Sequence, residues 1–135
     1  MSEGPRTALI RASIEAVNRG DLDGVIAFCH DDVEMKRVDG IPEHEMVHGK
    51  AALRSFLEPD VFSEQELELR QITEDGDAVL AHLTVRNRGA ASGIDLEVEA
   101  YNVYLFDGEL VRRVESWRTL EDAERSSGLR LRAGP

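Results

Sequence analysis

Two polar side chains lie among apolar neighbours on one face of a predicted strand late in the chain. Side chains alternate along a strand, so the even positions of 94–106 share a face. These positions hold Leu96, Val98, Ala100, Asn102, Tyr104 and Phe106. A buried amide costs free energy unless it is hydrogen-bonded, so Asn102 needs a partner. That partner is either a neighbouring strand or helix end, or a ligand carbonyl that accepts a hydrogen bond from Asn102.

Glu115 is the candidate for acid–base catalysis. It lies in Val-Glu-Ser-Trp at 114–117, on the last predicted strand. An apolar cavity raises the pKa of a carboxyl group, which makes the group a usable proton shuttle near neutral pH. Alternation does not place Glu115, because both faces of 109–118 mix polar and apolar residues. The alternative is a structural ion pair with Arg37 or Arg113, and such pairs also perturb titration.

Three larger side chains complete the set of candidate ligand-binding residues. Arg37 shares a strand face with two apolar residues, and an inward guanidinium needs a carboxylate partner or an anionic ligand. Glu115 is the first candidate partner and Asp39 the second. Trp117 has the same parity as Glu115, and we expect it to form part of the pocket wall. Phe56, at the end of a predicted helix, is a further candidate for ligand contact.

The histidines and the single cysteine give weaker signals. His44 and His48 lie four residues apart beside two glutamates, but in a loop this spacing fits metal-ligand geometry poorly. We therefore expect no metal and no cofactor. His82 lies opposite an apolar set on its strand and should face outward. Cys29 is expected to be a small buried hydrophobic residue.

Composition narrows the classes of partner. The chain has 135 residues and a formal net charge of −11, and this acidic field argues against nucleic acid as a partner. No apolar run approaches the roughly 20 residues of a membrane span, so we expect no membrane partner. The first five residues lack a basic region followed by an apolar stretch, so no signal peptide is predicted. With one cysteine and hence no internal disulfide, a cytoplasmic location is expected.

The chain begins with helices and continues as strands. Pro5 suits the first position of a helix that ends at Gly20, and Asp21 can cap the short helix that follows. A strand over 33–38 and an irregular loop over 39–48 then precede a third helix. Turn signals divide the remainder into strands and a last helical turn, predicted at 49–57 (third helix), 65–74, 77–88, 94–106, 109–118 and 119–126. This order predicts one α+β domain with helices on one face of an antiparallel sheet.

Four sequence blocks together resemble the nuclear transport factor 2-like superfamily, within it the SnoaL-like polyketide cyclase and ketosteroid isomerase branches. The blocks are Asn-Arg-Gly-Asp-Leu-Asp-Gly at 18–24, Asp-Asp-Val-Glu-Met at 31–35, His-Gly-Lys-Ala-Ala-Leu-Arg-Ser-Phe at 48–56 and Phe-Asp-Gly-Glu-Leu-Val at 106–111. The resemblance implies a cone, in which a strongly curved antiparallel sheet wraps around N-terminal helices and encloses an apolar pocket. A single SnoaL-like domain over 4–126 and a mobile basic tail over 127–135 are expected.

The resemblance also assigns positions within the pocket. Asn102 is similar in position to the protonated aspartic acid of the ketosteroid isomerase oxyanion hole. Ser13 takes the place of the helix-borne tyrosine of that site, and Arg37 the place of its proton-shuttling aspartate. A guanidinium cannot act as a base at neutral pH, so steroid isomerisation by that mechanism is not expected. Glu115 is similar in position to the acid/base aspartate of SnoaL-like cyclases.

Three functions follow as hypotheses. The first is a cofactor-independent SnoaL-like enzyme that transfers a proton on an apolar carbonyl-bearing or cyclic substrate, with Glu115 as acid/base. Asn102, with Ser13 or Tyr104, would orient the carbonyl. The second is a non-catalytic cone that binds an apolar small molecule or dimerises. The third is a hydrolase similar to limonene-epoxide hydrolase, for which Asn102 leaves the set of acids incomplete.

A homodimer through the outer face of the sheet is also predicted. Many members of the superfamily dimerise in this way. The odd positions Tyr101, Val103 and Leu105 are apolar on the face that should point away from the cone. An exposed apolar stripe of this kind is a natural dimer surface.

Overall fold

The computed structural model describes residues 4–36, 46–57, 65–88 and 95–131. Four helices lie within these ranges: α1 Pro5–Asn18, α2 Leu22–Ile26, α3 Lys50–Leu57 and α4 Leu120–Ser127. Six strands accompany them: β1 Cys29–Lys36, β2 Met46–His48, β3 Gln65–Asp75, β4 Ala78–Arg88, β5 Asp95–Asp107 and β6 Leu110–Trp117. The predicted helices and the four long strands are confirmed to within one or two residues at each end.

All six strands form one sheet in the order β2-β1-β6-β5-β4-β3. The pairs are antiparallel except for β1 and β6, which run parallel. The sheet is curved and does not close on itself, and the N-terminal helices lie on its inner face. The α+β cone predicted from the sequence is therefore confirmed.

The N-terminal corners form as their residue types predict. Proline stands at the first turn of α1. Gly20 follows that helix with φ +71°, a left-handed conformation that favours glycine. The Asp21 carboxylate accepts a hydrogen bond from the Gly24 N–H at 2.9 Å and caps α2. These two corners turn the chain from α1 into β1.

The first sheet edge differs from the prediction. β1 begins at Cys29 rather than at residue 33, because its pairing with β6 starts there and continues through an irregularity before Glu34. Met46 to His48 were predicted as loop but form the short strand β2, whose pairing with β1 the local sequence does not encode. Residues 37–45, with the rest of the predicted loop, lie outside the described residues.

The inner face of the sheet carries the main core. Ile10 and Ile14 of α1 pack against Val79, Ala81 and other inward residues of the strands. The alternate residues of β4 and β5 point the other way. His82 is one of these, and its outward orientation is confirmed: it stacks on Tyr101 with ring centroids 4.5 Å apart and contacts a Glu99 oxygen at 2.7 Å.

A second apolar layer covers the outer face. We call it the outer-face cluster; it comprises Leu80, Val103 and Ala123 with Tyr101, Leu105, Trp117, Leu120, Leu129 and Leu131. Helix α4 and the segment after it supply four of these residues. The predicted apolar stripe therefore exists but is covered by the chain's own C-terminal part. The idea that it is an exposed dimer surface is corrected, and the predicted homodimer would need another interface.

The C-terminal boundary is also later than expected. Gly128 ends α4 with φ +76°, and Leu129 and Leu131 pack in the outer-face cluster. The Leu131 N–H also donates to Glu124 Oε2 at 3.1 Å. Residues 128–131 thus belong to the folded unit, while 132–135 of the predicted tail lie outside the described residues. None of the helices in the described ranges is long and apolar enough to cross a membrane.

A carboxylate from β3 supplies the cap that α1 lacks in its own sequence. Gly4 precedes the helix and has no capping side chain. Glu74 Oε1 accepts hydrogen bonds from the Thr7 N–H at 2.8 Å and from the Thr7 hydroxyl at 2.9 Å. An anion at this end also interacts favourably with the helix dipole. Glu74 thereby fastens the first turn of α1 to the sheet.

We expect Glu74→Ala to lower the free energy of unfolding by about 1 kcal/mol, the usual effect of losing an N-terminal cap. Urea unfolding followed by circular dichroism measures the change. Glu109→Ala is the matched control, because Glu109 lies exposed in a turn and its removal should change stability by less than about 0.5 kcal/mol. Equal effects of the two substitutions would contradict the capping role.

Candidate ligand-binding site

A cavity of about 230 Å³ lies between the helices and the inner face of the sheet. Its wall is mostly apolar, and its lining residues are Ile10, Ser13, Ile14, Val17, Val25, Phe28, Cys29, Met35, Leu53, Leu67, Leu83, Val85, Ala100, Asn102, Tyr104, Val111, Val114 and Ser116. We call it the cone cavity. Its volume is slightly below the roughly 300–1,000 Å³ typical of small-molecule sites. A compact ligand fits this space better than an extended one.

The described lining residues carry no formal charge at neutral pH. Four side chains offer oxygen or nitrogen atoms: Ser13 from α1, Asn102 and Tyr104 from β5, and Ser116 from β6. Asn102 and Ser116 are opposite each other in the register of β5 and β6. The structure thus brings together three predicted site residues, Ser13, Asn102 and Tyr104, in one apolar cavity.

Asn102 and Tyr104 form a hydrogen-bonded pair in the wall. They lie two residues apart on one face of β5, and Asn102 Nδ2 donates to the Tyr104 hydroxyl at 3.0 Å. The other amide atom, Asn102 Oδ1, is buried and has no hydrogen-bond partner within the described part of the chain. A buried unpaired acceptor is costly, on the order of 1–3 kcal/mol. The cavity therefore has an unfilled acceptor at a defined position.

The ionisable groups of the described lining are Cys29 and Tyr104. Burial raises the pKa of the Cys29 thiol to about 11. Burial also raises the pKa of the Tyr104 phenol, although the hydrogen bond from Asn102 opposes this. Both groups are consequently neutral near pH 7. The prediction of Cys29 as a small buried hydrophobic residue is confirmed, since 5% of it is exposed.

Glu115 lies on the opposite face of the sheet from the cone cavity. It is opposite Val103, a member of the outer-face cluster, while its neighbours Val114 and Ser116 line the cavity. Glu115 Oε2 accepts from Arg113 Nε at 2.9 Å. Oε1 accepts from Trp117 Nε1 at 3.2 Å and from the Ser126 hydroxyl of α4. The expected position of Glu115 inside the cone is corrected, and its ion pair is with Arg113.

The titration of Glu115 follows from these contacts. Burial of the carboxylate by itself raises its pKa. The hydrogen bonds from Ser126, Arg113 and Trp117, with the charge of Arg113, outweigh that effect and hold the pKa below its ordinary value. A carboxylate that stays ionised and fully hydrogen-bonded is suited to fastening α4 to the sheet. It is poorly suited to shuttling protons near neutral pH.

Trp117 shares the outward parity of Glu115, as predicted, but it is not part of the cavity wall. Its ring belongs to the outer-face cluster, and Lys36 Nζ lies 5.0 Å from the ring centroid. Arg37 lies outside the described residues, so its predicted pairing with Glu115 or a ligand stays a prediction. Phe56 falls in α3, and its side chain lies outside the described part of the structure.

Ser116 was missed from the sequence because β6 contains a bulge. The register of β5 and β6 shifts between Leu105 and Phe106, which pair with Arg113 and Val111. The extra residue, Arg112, reverses the alternation, so that Val111 faces inward before it and Val114 and Ser116 face inward after it. The mixed polarity of both faces of 109–118 was the one available signal of this irregularity.

The comparisons with known proteins identify the family. The sequence model of the SnoaL-like domain matches residues 10–114, more than three-quarters of the chain. The chain belongs to the SnoaL-like family. This confirms the resemblance to the nuclear transport factor 2-like superfamily. A comparison with curated proteins found no match.

Solved structures share the fold of this SnoaL-like chain. TerC, co-crystallised with polyporic acid, has a TM-score of 0.76 at 21% identity and covers 90% of this chain and 97% of its own. RV0760c from Mycobacterium tuberculosis, in complex with estradiol-17beta-hemisuccinate, gives 0.75 at 17% over 88% and 97%. The Δ5-3-ketosteroid isomerase from Mycobacterium sp. gives 0.72 at 20% over 88% and 96%. At these identities the similarity establishes the fold and leaves the activity to be argued from the site.

Proposed function

We propose that this SnoaL-like chain binds a compact, uncharged, largely apolar molecule in the cone cavity. The observation that carries the proposal is the buried, unpaired Asn102 Oδ1 in a wall that is otherwise mostly apolar. Apolar walls with a few convergent polar atoms are the usual composition of small-molecule sites. The complex of RV0760c with a steroid derivative supports an apolar ring system as the ligand type.

Binding without catalysis by a protein carboxylate is the function that the geometry favours. The enzyme hypothesis requires an acid or base beside the ligand. Glu115, the predicted candidate, faces the outer-face cluster, and both of its oxygens accept hydrogen bonds there. Within the described lining, the remaining ionisable groups have raised pKa values and stay neutral. The same placement removes the carboxylate that the epoxide hydrolase hypothesis needs.

Filling the cone cavity should abolish binding. We expect Ala100→Phe to reduce the affinity for tetralin, a compact apolar bicycle, at least tenfold, because the added ring occupies the ligand space. Isothermal titration calorimetry and ligand-observed NMR with the purified protein measure the change. Glu97→Phe is the control: it adds the same ring to the same strand on the opposite, exposed face. Undiminished binding by Ala100→Phe would refute the cone cavity as the site.

A further inference from the structure

The polar end of the cone cavity presents one donor beside one acceptor. An asparagine side chain has two N–H donors and one carbonyl acceptor, and a tyrosine hydroxyl both donates and accepts. Because the Tyr104 oxygen accepts from Asn102 Nδ2, the hydroxyl hydrogen of Tyr104 is available to a ligand. Asn102 Oδ1 is the buried acceptor without a described partner. The pair therefore offers a ligand one O–H donor and one C=O acceptor.

We propose that this pair selects a ligand hydroxyl over a ligand carbonyl, an inference that rests on the proposed function. A hydroxyl can accept from the Tyr104 O–H and donate to Asn102 Oδ1, which closes a ring of three hydrogen bonds. Each bond in such a ring polarises the next, which strengthens the set. The preferred ligand is thus a neutral alcohol or phenol on a compact apolar skeleton.

A carbonyl satisfies only half of the site. It can accept from Tyr104 but cannot donate, so Asn102 Oδ1 would stay buried and unpaired beside it. A carboxylate is disfavoured further, because the described lining residues include no cation to compensate its charge. A hydrocarbon leaves both polar atoms without partners. The order of affinity should therefore be alcohol, ketone, hydrocarbon.

Three compounds with one skeleton test the inference: 2-tetralol, 2-tetralone and tetralin. With the wild-type protein, we expect the better-fitting enantiomer of 2-tetralol to bind about tenfold more tightly than 2-tetralone in calorimetry, the usual scale for one buried hydrogen bond. In Asn102→Leu, a replacement of similar size without the acceptor, this preference should disappear. In Tyr104→Phe, both oxygenated compounds should lose affinity relative to tetralin. Glu97→Gln, on the outward face of the same strand, is the control and should retain the wild-type order.

Each outcome bears on a separate claim. If 2-tetralone binds as tightly as 2-tetralol to the wild type, or more tightly, hydroxyl selection is refuted while ligand binding stands. Such a result would mean that Asn102 presents its N–H groups to the ligand. If none of the three compounds binds, the proposed function itself fails. The wild-type ratio of affinities needs no variant, so the inference stays testable even if Asn102→Leu does not fold.

Discussion

Val103→Asp should unfold the protein. Val103 is 1% exposed and packs between the sheet and α4 with Leu80 and Ala123. An aspartate there would be buried among apolar residues and directly opposite Glu115, whose carboxylate is already buried. An unpaired buried charge costs several kcal/mol, and the total stability of a domain of this size is about 5–15 kcal/mol. We expect loss of the cooperative thermal transition in circular dichroism.

Val98→Asp on the same strand is the matched control. Val98 is 55% exposed, so an aspartate there stays solvated and should change stability by less than about 0.5 kcal/mol. Analytical ultracentrifugation distinguishes the alternative that the sequence suggested. A Val103→Asp protein that is folded and monomeric, beside a dimeric wild type, would show that the stripe is a dimer interface and that α4 does not cover it in solution.

The alternation of β5 was predictable, but what covers its outer face was not. The even positions Ala100, Asn102 and Tyr104 line the cone cavity, and the odd positions Tyr101, Val103 and Leu105 lie on the other face, as expected. An apolar face can be covered by a partner or by the chain itself. Helix α4 is mostly polar, and its apolar residues Leu120 and Ala123 form too short a pattern to predict this packing.

β6 shows how one bulge can change the interpretation of a site. With strict alternation, Glu115 would face the same way as Val111, which lines the cone cavity. The register shift between the two residues turns Glu115 outward and Ser116 inward. Nothing in 109–118 marks a bulge, since no glycine or proline interrupts the strand there. The identity of the carboxylate was correct from the sequence, and its location was not.

Asn102 is the site residue that the sequence predicted best. Its isolation on an apolar face required a partner, and the two-residue spacing places Tyr104 beside it. What the sequence could not predict was the division of the amide, with the nitrogen bonded to Tyr104 and the oxygen unpaired. That division depends on the distances between strands and helices, which local patterns do not encode.

Glu115→Ala should lower the free energy of unfolding by about 3 kcal/mol, since breaking a buried ion pair leaves its partners uncompensated. Arg113, Trp117 and Ser126 would each lose an acceptor, and α4 would lose its polar link to the sheet. Urea unfolding measures the effect. Glu121→Ala is the control, because Glu121 is an exposed residue of α4 that pairs only with Arg125 in the described structure. Its loss should cost less than about 1 kcal/mol.

The contribution of Glu115 should also depend on pH in a defined direction. The folded-state pKa of Glu115 is lowered, so the ionised form favours folding. This contribution is fully present above the unfolded value, about 4.3 for glutamate, and is lost as the pH falls through the folded pKa. We therefore expect the stability difference between wild type and Glu115→Gln to be constant from pH 7 to pH 5 and to shrink below pH 4.

Ligand affinity separates a structural Glu115 from a catalytic one. Since the carboxylate lies across the sheet from the cone cavity, Glu115→Gln should bind 2-tetralol as the wild type does at a temperature where both are folded. A variant of unchanged stability that loses affinity would place Glu115 at the ligand and restore the proton-transfer hypothesis. A destabilised variant with intact affinity would assign Glu115 to the attachment of α4 and leave Asn102 and Tyr104 as the residues that recognise the ligand.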